Sequence, residues 1–102
     1  MTPHTPTLAT LNKYGLSEGD FFMILAHQGG VCAICKKVPN GHWCIDHEHC
    51  KGYKKLPPGK RAEYVRGILC FFCNRYYLAR GITIERAKNV VEYLRNYAER
   101  KP

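Results

Sequence analysis

The sequence predicts a small α+β domain that is held together by a zinc ion. The chain has 102 residues, of which 45% are hydrophobic, and a core of this size often depends on a metal ion or disulfide bonds. Two C-x-x-C pairs, Cys32 with Cys35 and Cys70 with Cys73, offer four thiolates. Two strand-like segments lie between the pairs and a helix follows them, so the predicted order is β-β-α.

The N-terminal part is predicted to be helical. Residues 1–16 are expected to form an arm with a short helix, and residues 17–102 a single domain. Ser17 and Asp20 have the spacing of a capping box, and Gly29 and Gly30 are expected to end the helix that the box begins. Its apolar side chains are expected to pack inward: Phe21, Phe22, Ile24 and Leu25.

The middle of the chain is predicted to be a hairpin with a long basic loop. Residues 41–47 and 64–70 have the composition of short strands. The stretch between them, 51–63, is expected to be a loop because Pro57, Pro58 and Gly59 interrupt any regular element.

Two helices are predicted to complete the domain. The first covers residues 70–81 and ends at Gly81, and the second covers residues 83–100 with Thr83 as N-cap. The second has one apolar stripe at helical spacing, which is expected to pack against the protein's own core. This stripe consists of Ile84, Ala87, Val91, Leu94 and Ala98.

The net charge and the hydrophobicity pattern indicate which partner and which compartment to expect. A net charge of +8 and a pI of about 9.3 favour a polyanionic partner, most simply nucleic acid, over solubility alone. The chain has no signal-peptide pattern and no apolar run of membrane-spanning length. We therefore expect a cytoplasmic protein without a membrane partner.

Reduced thiols in such a compartment favour metal binding by the paired cysteines. The alternatives are a disulfide framework and reduced cysteines in the core. Two further cysteines remain: Cys44 is expected to be a small buried apolar residue, and Cys50 has no predicted role.

The stretch "CIDHEHC" places candidate catalytic groups at the end of the first strand. With zinc on the paired cysteines, Asp46 and Asn74 offer two hard oxygen ligands that suit Mg²⁺. His47, mostly neutral at pH 7, is able to accept a proton from water. Neighbouring residues of a regular strand point to opposite faces, so Asp46 and His47 share one site only if the strand ends or bulges there. Glu48 is the alternative ligand if the register differs.

The pieces "CAIC", "IDHEH" and "VRGILCFFCN" together resemble the phage recombination endonuclease VII family of the HNH, or His-Me finger, nucleases. The similarity covers about residues 14–81. It implies a ββα-metal core flanked by helices, a structural Zn²⁺, and hydrolysis of DNA phosphodiester bonds with Mg²⁺ or Mn²⁺. For a phage-encoded enzyme the compartment would be the host cytoplasm.

The resemblance also implies individual roles. The four paired cysteines match zinc ligands, Asp46 and Asn74 match the ligands of the catalytic metal, and His47 matches the general base. His49 matches a second histidine near the scissile phosphate, and Arg66 is a candidate phosphate contact. Basic residues of the loop are expected to contact the DNA backbone: Lys51, Lys54, Lys55, Lys60 and Arg61.

Two departures from the junction-resolving member of the family favour nicking. Tyr77 stands where that enzyme has an acidic residue, and this chain has one terminal helix where the enzyme continues. We therefore expect single-strand nicks with little sequence preference from a monomer or weak homodimer. The alternatives are a dimeric resolvase of branched DNA, a zinc module that binds nucleic acid without cutting it, and a thiol redox protein.

Overall fold

The computed structural model describes residues 3–78 and 82–100 of the chain. Its helices and strands, in chain order, are α1 (Leu8–Lys13), α2 (Glu18–His27), β1 (Trp43–His47), α3 (Pro58–Ala62), β2 (Val65–Cys70) and α4 (Ile84–Arg100). A 3₁₀ turn, Tyr53–Lys55, follows β1, and a π-helical turn, Cys73–Tyr77, follows β2. The fold is a small α+β domain, as predicted.

The strands β1 and β2 form a two-stranded antiparallel sheet. Trp43 opposes Cys70 and Ile45 opposes Ile68, so the hairpin brings the second C-x-x-C pair back to the beginning of β1. The core lies between this sheet and the first two helices. Its buried members are Leu11, Leu16, Phe21, Cys32, Trp43, Ile45, Ile68, Leu69 and Cys73.

The first 16 residues contribute directly to this core. Leu11 and Leu16 are both buried in it. Upstream of α1, His4 pairs with the chain just before β1: its amide donates to the Gly41 carbonyl at 3.0 Å, and its carbonyl accepts from the Trp43 amide at 3.2 Å. These bonds fix the N-terminal segment against the edge of β1.

The predicted helix caps are confirmed. Ser17 and Asp20 form a reciprocal capping box, with bonds of 2.9 and 3.0 Å between each side chain and the other residue's amide. Gly29 follows α2 with φ of +77°, a conformation that glycine adopts without steric cost. The Thr83 hydroxyl accepts from the Arg86 amide at 3.0 Å and caps α4.

Three of the four α2 side chains that were predicted to pack inward do so. Phe21 is fully buried, and Ile24 and Leu25 pack against the core. The prediction for Phe22 is wrong, because its side chain is 47% exposed. Phe22 lies about 100° around the helix from Phe21, on the side that faces solvent.

The predicted loop 51–63 is wrong in part, because α3 and the 3₁₀ turn lie within it. Pro58 does not interrupt a helix there. It occupies the first turn of α3, where its missing N–H and fixed φ are compatible with helical structure.

The helix predicted for residues 70–81 is a π-helical turn at Cys73–Tyr77. Its widened turn is closed by the Leu78 amide, which donates to the Cys73 carbonyl five residues earlier at 3.2 Å. The predicted end at Gly81 lies outside the described residues.

The prediction that the apolar stripe of α4 packs against the protein's own core is wrong. No residue of α4 is buried, and Val91 and Leu94 are 48% and 58% exposed. The stripe has the correct helical period, but periodicity shows only which face needs an apolar partner, not where the partner comes from.

Candidate active site and metal centre

The two C-x-x-C pairs meet in one cluster. The sulfur atoms of Cys32, Cys35, Cys70 and Cys73 all lie within 4.8 Å of one another. The Sγ atoms of Cys35 and Cys70 are 3.9 Å apart, close to the edge of about 3.8 Å expected for a tetrahedron with Zn–S bonds of about 2.3 Å. In the described part of the chain, this is the one group of three or more such ligands close enough to hold a metal ion. The cluster fits zinc.

Two tight turns shape the cluster. The Lys36 amide donates to the Cys32 carbonyl at 3.0 Å, and the Cys32 amide donates to the Lys37 carbonyl at 2.9 Å. Lys36 has φ of +63°, which folds the chain back directly after the first pair. In the second pair, the Cys73 amide donates to the Cys70 sulfur at 3.4 Å.

Two thiols of the cluster, Cys32 and Cys73, have pKa values shifted in opposite directions. Burial raises the pKa of Cys32, but hydrogen bonds from Cys70, Cys35 and Ile34 outweigh it and lower the pKa to about 6. Burial, followed by hydrogen bonds to its neighbouring thiols, raises the pKa of Cys73. Four thiolates this close repel one another, so a bound dication would stabilise their joint deprotonation.

The other two cysteines lie outside the cluster, and all six have free thiols. Cys44, predicted to be buried, is only half-buried in β1, and this burial raises its pKa. Cys50 follows the histidine run and lines a cavity with His47 and Lys54.

The four residues predicted to be catalytic line a single cavity of about 350 Å³. They are Asp46, His47, His49 and Asn74. Asp46 and His47 come from the end of β1, His49 from the segment that follows, and Asn74 from the π-helical turn. The cysteine cluster contributes to this arrangement, because Asn74 directly follows the cluster residue Cys73.

A bulge resolves the conflict between strand alternation and a shared site. Asp46 opposes Gly67, but His47 opposes Val65, so the pairing shifts between the last two residues of β1 and leaves Arg66 as the extra residue. Both Asp46 and His47 then line the cavity. Glu48, the alternative ligand, is exposed and does not line it.

The bulge residue Arg66 binds the Asp46 carboxylate with two hydrogen bonds. Its Nε donates to Oδ2 at 2.7 Å and its Nη2 donates to Oδ1 at 3.0 Å. The carboxylate is almost fully buried, whereas the Arg66 side chain is 41% exposed. Hydrogen bonding to Asp46 raises the pKa of Arg66. Each carboxylate oxygen keeps a further lone pair for another ligand.

Aromatic side chains surround the His47 ring. The ring centroids of Tyr53, His49 and Tyr14 lie 4.5, 4.8 and 5.2 Å from that of His47. Burial, reinforced by the charge of His49, lowers the pKa of His47, and the Asp46 carboxylate offsets only part of this effect. The imidazole is therefore neutral at pH 7, the form that accepts a proton.

A second cavity of about 420 Å³ adjoins the histidines on their other side. His47 and His49 line both cavities, and Lys54 and Lys55 line only the second. The histidine pair is thus flanked by Asp46 on one side and by two exposed lysines on the other. Of the remaining predicted DNA contacts, Lys51 precedes the 3₁₀ turn and Lys60 and Arg61 lie in α3. Lys60 pairs with Glu63 at 3.4 Å.

Sequence reasoning missed two polar residues that line the main cavity and one residue that supports β2. Tyr14 and Arg75 line the main cavity. Gln28 supports β2: its Nε2 donates to the carbonyls of Ile68 and Val31 at 2.8 and 3.0 Å, and its Oε1 accepts from the Ile68 amide at 2.8 Å. The basic side chain next to Asn74 was a usable signal for Arg75. Nothing local in the sequence indicates the role of Gln28, whose partner lies 40 residues away.

Comparison with known proteins identifies the family. The sequence model of recombination endonuclease VII matches residues 8–96. The chain belongs to the recombination endonuclease VII family.

Two phage proteins are similar over most of the chain. The "Gene 59 protein" of Mycobacterium phage L5 is 38% identical over 91 residues, which are 84% of this chain and 48% of that protein. The "Gene 59 protein" of Mycobacterium phage D29 is 36% identical over 90 residues, 83% of this chain and 47% of that protein. The chain thus spans about half the length of these relatives. No solved structure matches it significantly.

None of the described helices is both long and apolar enough to cross a membrane.

Proposed function

We propose that this chain is a metal-dependent endodeoxyribonuclease with a ββα-metal active site, and that it hydrolyses phosphodiester bonds mainly as single-strand nicks. The observation that carries the proposal is the shared cavity of Asp46, His47, His49 and Asn74. It combines a proton acceptor with hard oxygen ligands, which metal-assisted hydrolysis requires.

The side chains fit a divalent cation that prefers oxygen. Asp46 and Asn74 line the same cavity and supply a carboxylate and an amide oxygen, which suits Mg²⁺ or Mn²⁺ with water and phosphate completing the coordination. When bound there, such a cation would supply charge stabilisation for the phosphate and the leaving oxygen.

His47 is the proposed general base. It takes a proton from a water molecule as the water oxygen attacks phosphorus. The bond from phosphorus to the 3′ oxygen breaks and this oxygen takes up a proton from solvent, giving 5′-phosphate and 3′-hydroxyl ends. The contacts with Tyr14 and Tyr53 hold the imidazole in place. Its lowered pKa keeps it able to accept the proton at neutral pH.

The basic side of the site is the proposed DNA-backbone contact. Lys54 and Lys55 share a cavity with the histidines, so a phosphate bound there would lie next to the reacting phosphodiester. Arg66 is a proposed phosphate contact through the N–H groups that Asp46 leaves free. Such contacts provide affinity without sequence preference, which agrees with a net charge of +8.

Nicking of supercoiled plasmid tests the activity. Wild type is expected to convert supercoiled to open-circle DNA only when Mg²⁺ or Mn²⁺ is added to zinc-loaded protein. Omitting the cation is preferable to EDTA, because EDTA would also remove zinc. His47→Ala is expected to lower the rate by about 100-fold or more, and His27→Ala, an exposed histidine on α2, is the matched control.

Binding assays separate catalysis from affinity. Asn74→Ala is expected to abolish nicking and leave gel-shift affinity nearly unchanged, because its effect is on the transition state. Parallel loss of both would count against the ligand assignment. Cation-independent DNA binding without nicking by wild type would favour the non-catalytic zinc module.

The exposed stripe of α4 favours a second candidate, a dimeric resolvase of branched DNA. Two symmetric cuts require two active sites in a two-fold dimer, and Val91 and Leu94 are free to pack against another copy. Light scattering with a cruciform plasmid distinguishes the two. Open circles produced first by a monomer support nicking, whereas direct linearisation by a stable dimer supports the resolvase.

A further inference from the structure

A second groove lies directly beside the candidate active site. It has a volume of about 480 Å³, within the range that holds a small molecule such as a nucleotide. One wall is the loop 37–42 and the other is the pair Phe71 and Phe72, and we call it the aromatic groove. Phe71 lines both this groove and the cavity that contains Asp46 and His47. The two spaces therefore share the Phe71 side chain as a wall.

The walls of the aromatic groove are apolar and exposed. Phe71, Phe72 and Val38 are each about half exposed, at 51%, 55% and 51%. Tyr76 and Tyr77 extend the aromatic surface, with ring centroids 4.8 and 5.4 Å from that of Phe72, and both are more than half exposed. A contiguous surface of this kind on a small protein indicates a binding site more often than chance.

Backbone hydrogen bonds hold the loop wall of the groove in place. The loop wall is fixed at its beginning by the bond from the Cys32 amide to the Lys37 carbonyl. It is fixed at its end by the bond from the His4 amide to the Gly41 carbonyl. The opposite wall lies between the second pair of cluster cysteines. Both walls are thus held in place without a ligand, which lowers the conformational cost of binding.

The charge of the groove selects among partners. None of its lining residues is acidic, and Lys37 and His42 lie along its loop wall. A flat apolar group attached to an anionic backbone matches this combination. Unpaired nucleobases have that chemistry, and they stack on exposed aromatic rings beside basic side chains. Duplex DNA keeps its bases stacked inside and offers the groove no base face.

We propose that the aromatic groove stacks an unpaired DNA base, so that the chain engages a single-stranded stretch that leads out of the active site. This inference rests on the proposed nuclease function only for its position next to the scissile phosphate. The groove would give the protein a preference for DNA with unpaired nucleotides at the cut.

The test measures binding on zinc-loaded His47→Ala protein without added magnesium, so that DNA stays intact. The probes are a fluorescein-labelled oligothymidylate of about twelve nucleotides, the same strand with one 2-aminopurine, and a duplex of equal length. Phe72→Leu keeps an apolar side chain and removes the ring. We expect it to weaken single-strand binding about 5- to 150-fold and to abolish quenching of 2-aminopurine, with little change for the duplex. Phe22→Leu, an exposed ring on α2, should change neither.

A second pair of variants does not touch the cysteine turn. Val38→Glu places a carboxylate in the groove, and Val90→Glu makes the same change on α4 at nearly equal exposure, 51% against 52%. Only Val38→Glu should lose single-strand affinity. Zinc content and circular dichroism verify that each variant is folded.

The outcomes separate this inference from the proposed function. Quenching and single-strand affinity that survive both groove variants would overturn the inference even if wild type nicks plasmid DNA. Equal losses for single strand and duplex would also overturn it, as would a concentration-dependent dimer that Val38→Glu dissociates. Quenching that is lost in the groove variants, with no plasmid nicking by wild type, would support the groove and refute the nuclease.

Discussion

Replacement of Gln28 should destabilise the protein more than its half-buried position suggests. Its amide group makes three hydrogen bonds of 2.8–3.0 Å to the backbone, two with Ile68 and one with Val31. Each bond contributes about 1 kcal/mol net, and a buried backbone group left without a partner costs about 1–3 kcal/mol. Gln28→Ala should therefore lower the free energy of unfolding by about 2–4 kcal/mol. The strand β2, which carries Arg66 and Cys70, would lose support along its outer edge.

Gln28→Glu gives a sharper version of this prediction. The carboxylate still accepts from the Ile68 amide, but it replaces the amide donor and faces two carbonyl oxygens. These oxygens raise the folded-state pKa of the new carboxyl above its unfolded value of about 4.3. For a carboxyl group with a raised pKa, its contribution to the free energy of unfolding is fully present below the pKa of the unfolded state. This contribution is lost as the pH rises through the pKa of the folded state. The deficit relative to wild type should be larger at pH 8 than at pH 5.5.

Urea denaturation with saturating zinc measures these differences. Trp43 is the single tryptophan and is buried in the core, so its fluorescence reports unfolding. Asn89→Ala, an exposed amide on α4, is the control. A loss below about 0.5 kcal/mol for Gln28→Ala, or a pH-independent deficit for Gln28→Glu, would refute the reasoning.

Three further predictions concern the metal, the base and the basic loop. Cys35→Ser should lose zinc and the folded circular dichroism spectrum, whereas Cys44→Ser should keep both; elemental analysis that finds full zinc in Cys35→Ser would exclude that ligand. Nicking should decline toward low pH with a midpoint below the ordinary histidine pKa of about 6.5, because burial lowers the pKa of His47 and only the neutral ring accepts a proton. Measurement of kcat/KM between pH 5 and 8 tests this, and a midpoint above about 6.5 would contradict it. The double replacement Lys54→Ala with Lys55→Ala should weaken DNA binding and reduce the slope of log affinity against log salt by about 2; an unchanged slope in gel shifts would place these lysines away from the phosphates.

Short-range sequence patterns predicted the cysteine cluster, the helix cap and the two strands. The spacing of the cysteine pairs predicted a cluster, and the four sulfur atoms do lie together. The capping box of Ser17 and Asp20 is a short-range interaction and formed as expected. The strand-like composition of residues 41–47 and 64–70 located β1 and β2 to within two residues. In each case the partner lies a few residues away or has a distinctive chemistry.

The features that local patterns missed depend on distant partners. Gln28 binds a strand 40 residues later, and no periodicity indicates such a bond. The apolar stripe of α4 predicted a face packed against the protein's own core, but the described part of the chain does not bury it. The π-helical turn at Asn74 is also invisible to a helical period, because it changes that period within one turn.

The bulge at the end of β1 is the structural feature on which the candidate site depends. In a regular ladder Asp46 and His47 would face opposite sides of the sheet. The extra residue on β2 shifts the pairing, so that both lie on one cavity. That extra residue is Arg66, which is thereby placed against the buried Asp46 carboxylate and compensates its charge when no cation is present.

The same geometry explains how Arg66 can bind both its observed partner, Asp46, and its predicted partner, a DNA phosphate. Two of its five N–H donors bind Asp46. Because its side chain is 41% exposed and lines a cavity with His49, the remaining donors are available to a DNA phosphate bound beside that histidine. Phosphate binding and carboxylate binding by Arg66 are therefore not alternatives. A guanidinium that links the buried acid to the substrate would position the phosphodiester next to His47 while two of its N–H groups hold the acid, a bidentate geometry that the single ammonium group of lysine does not offer.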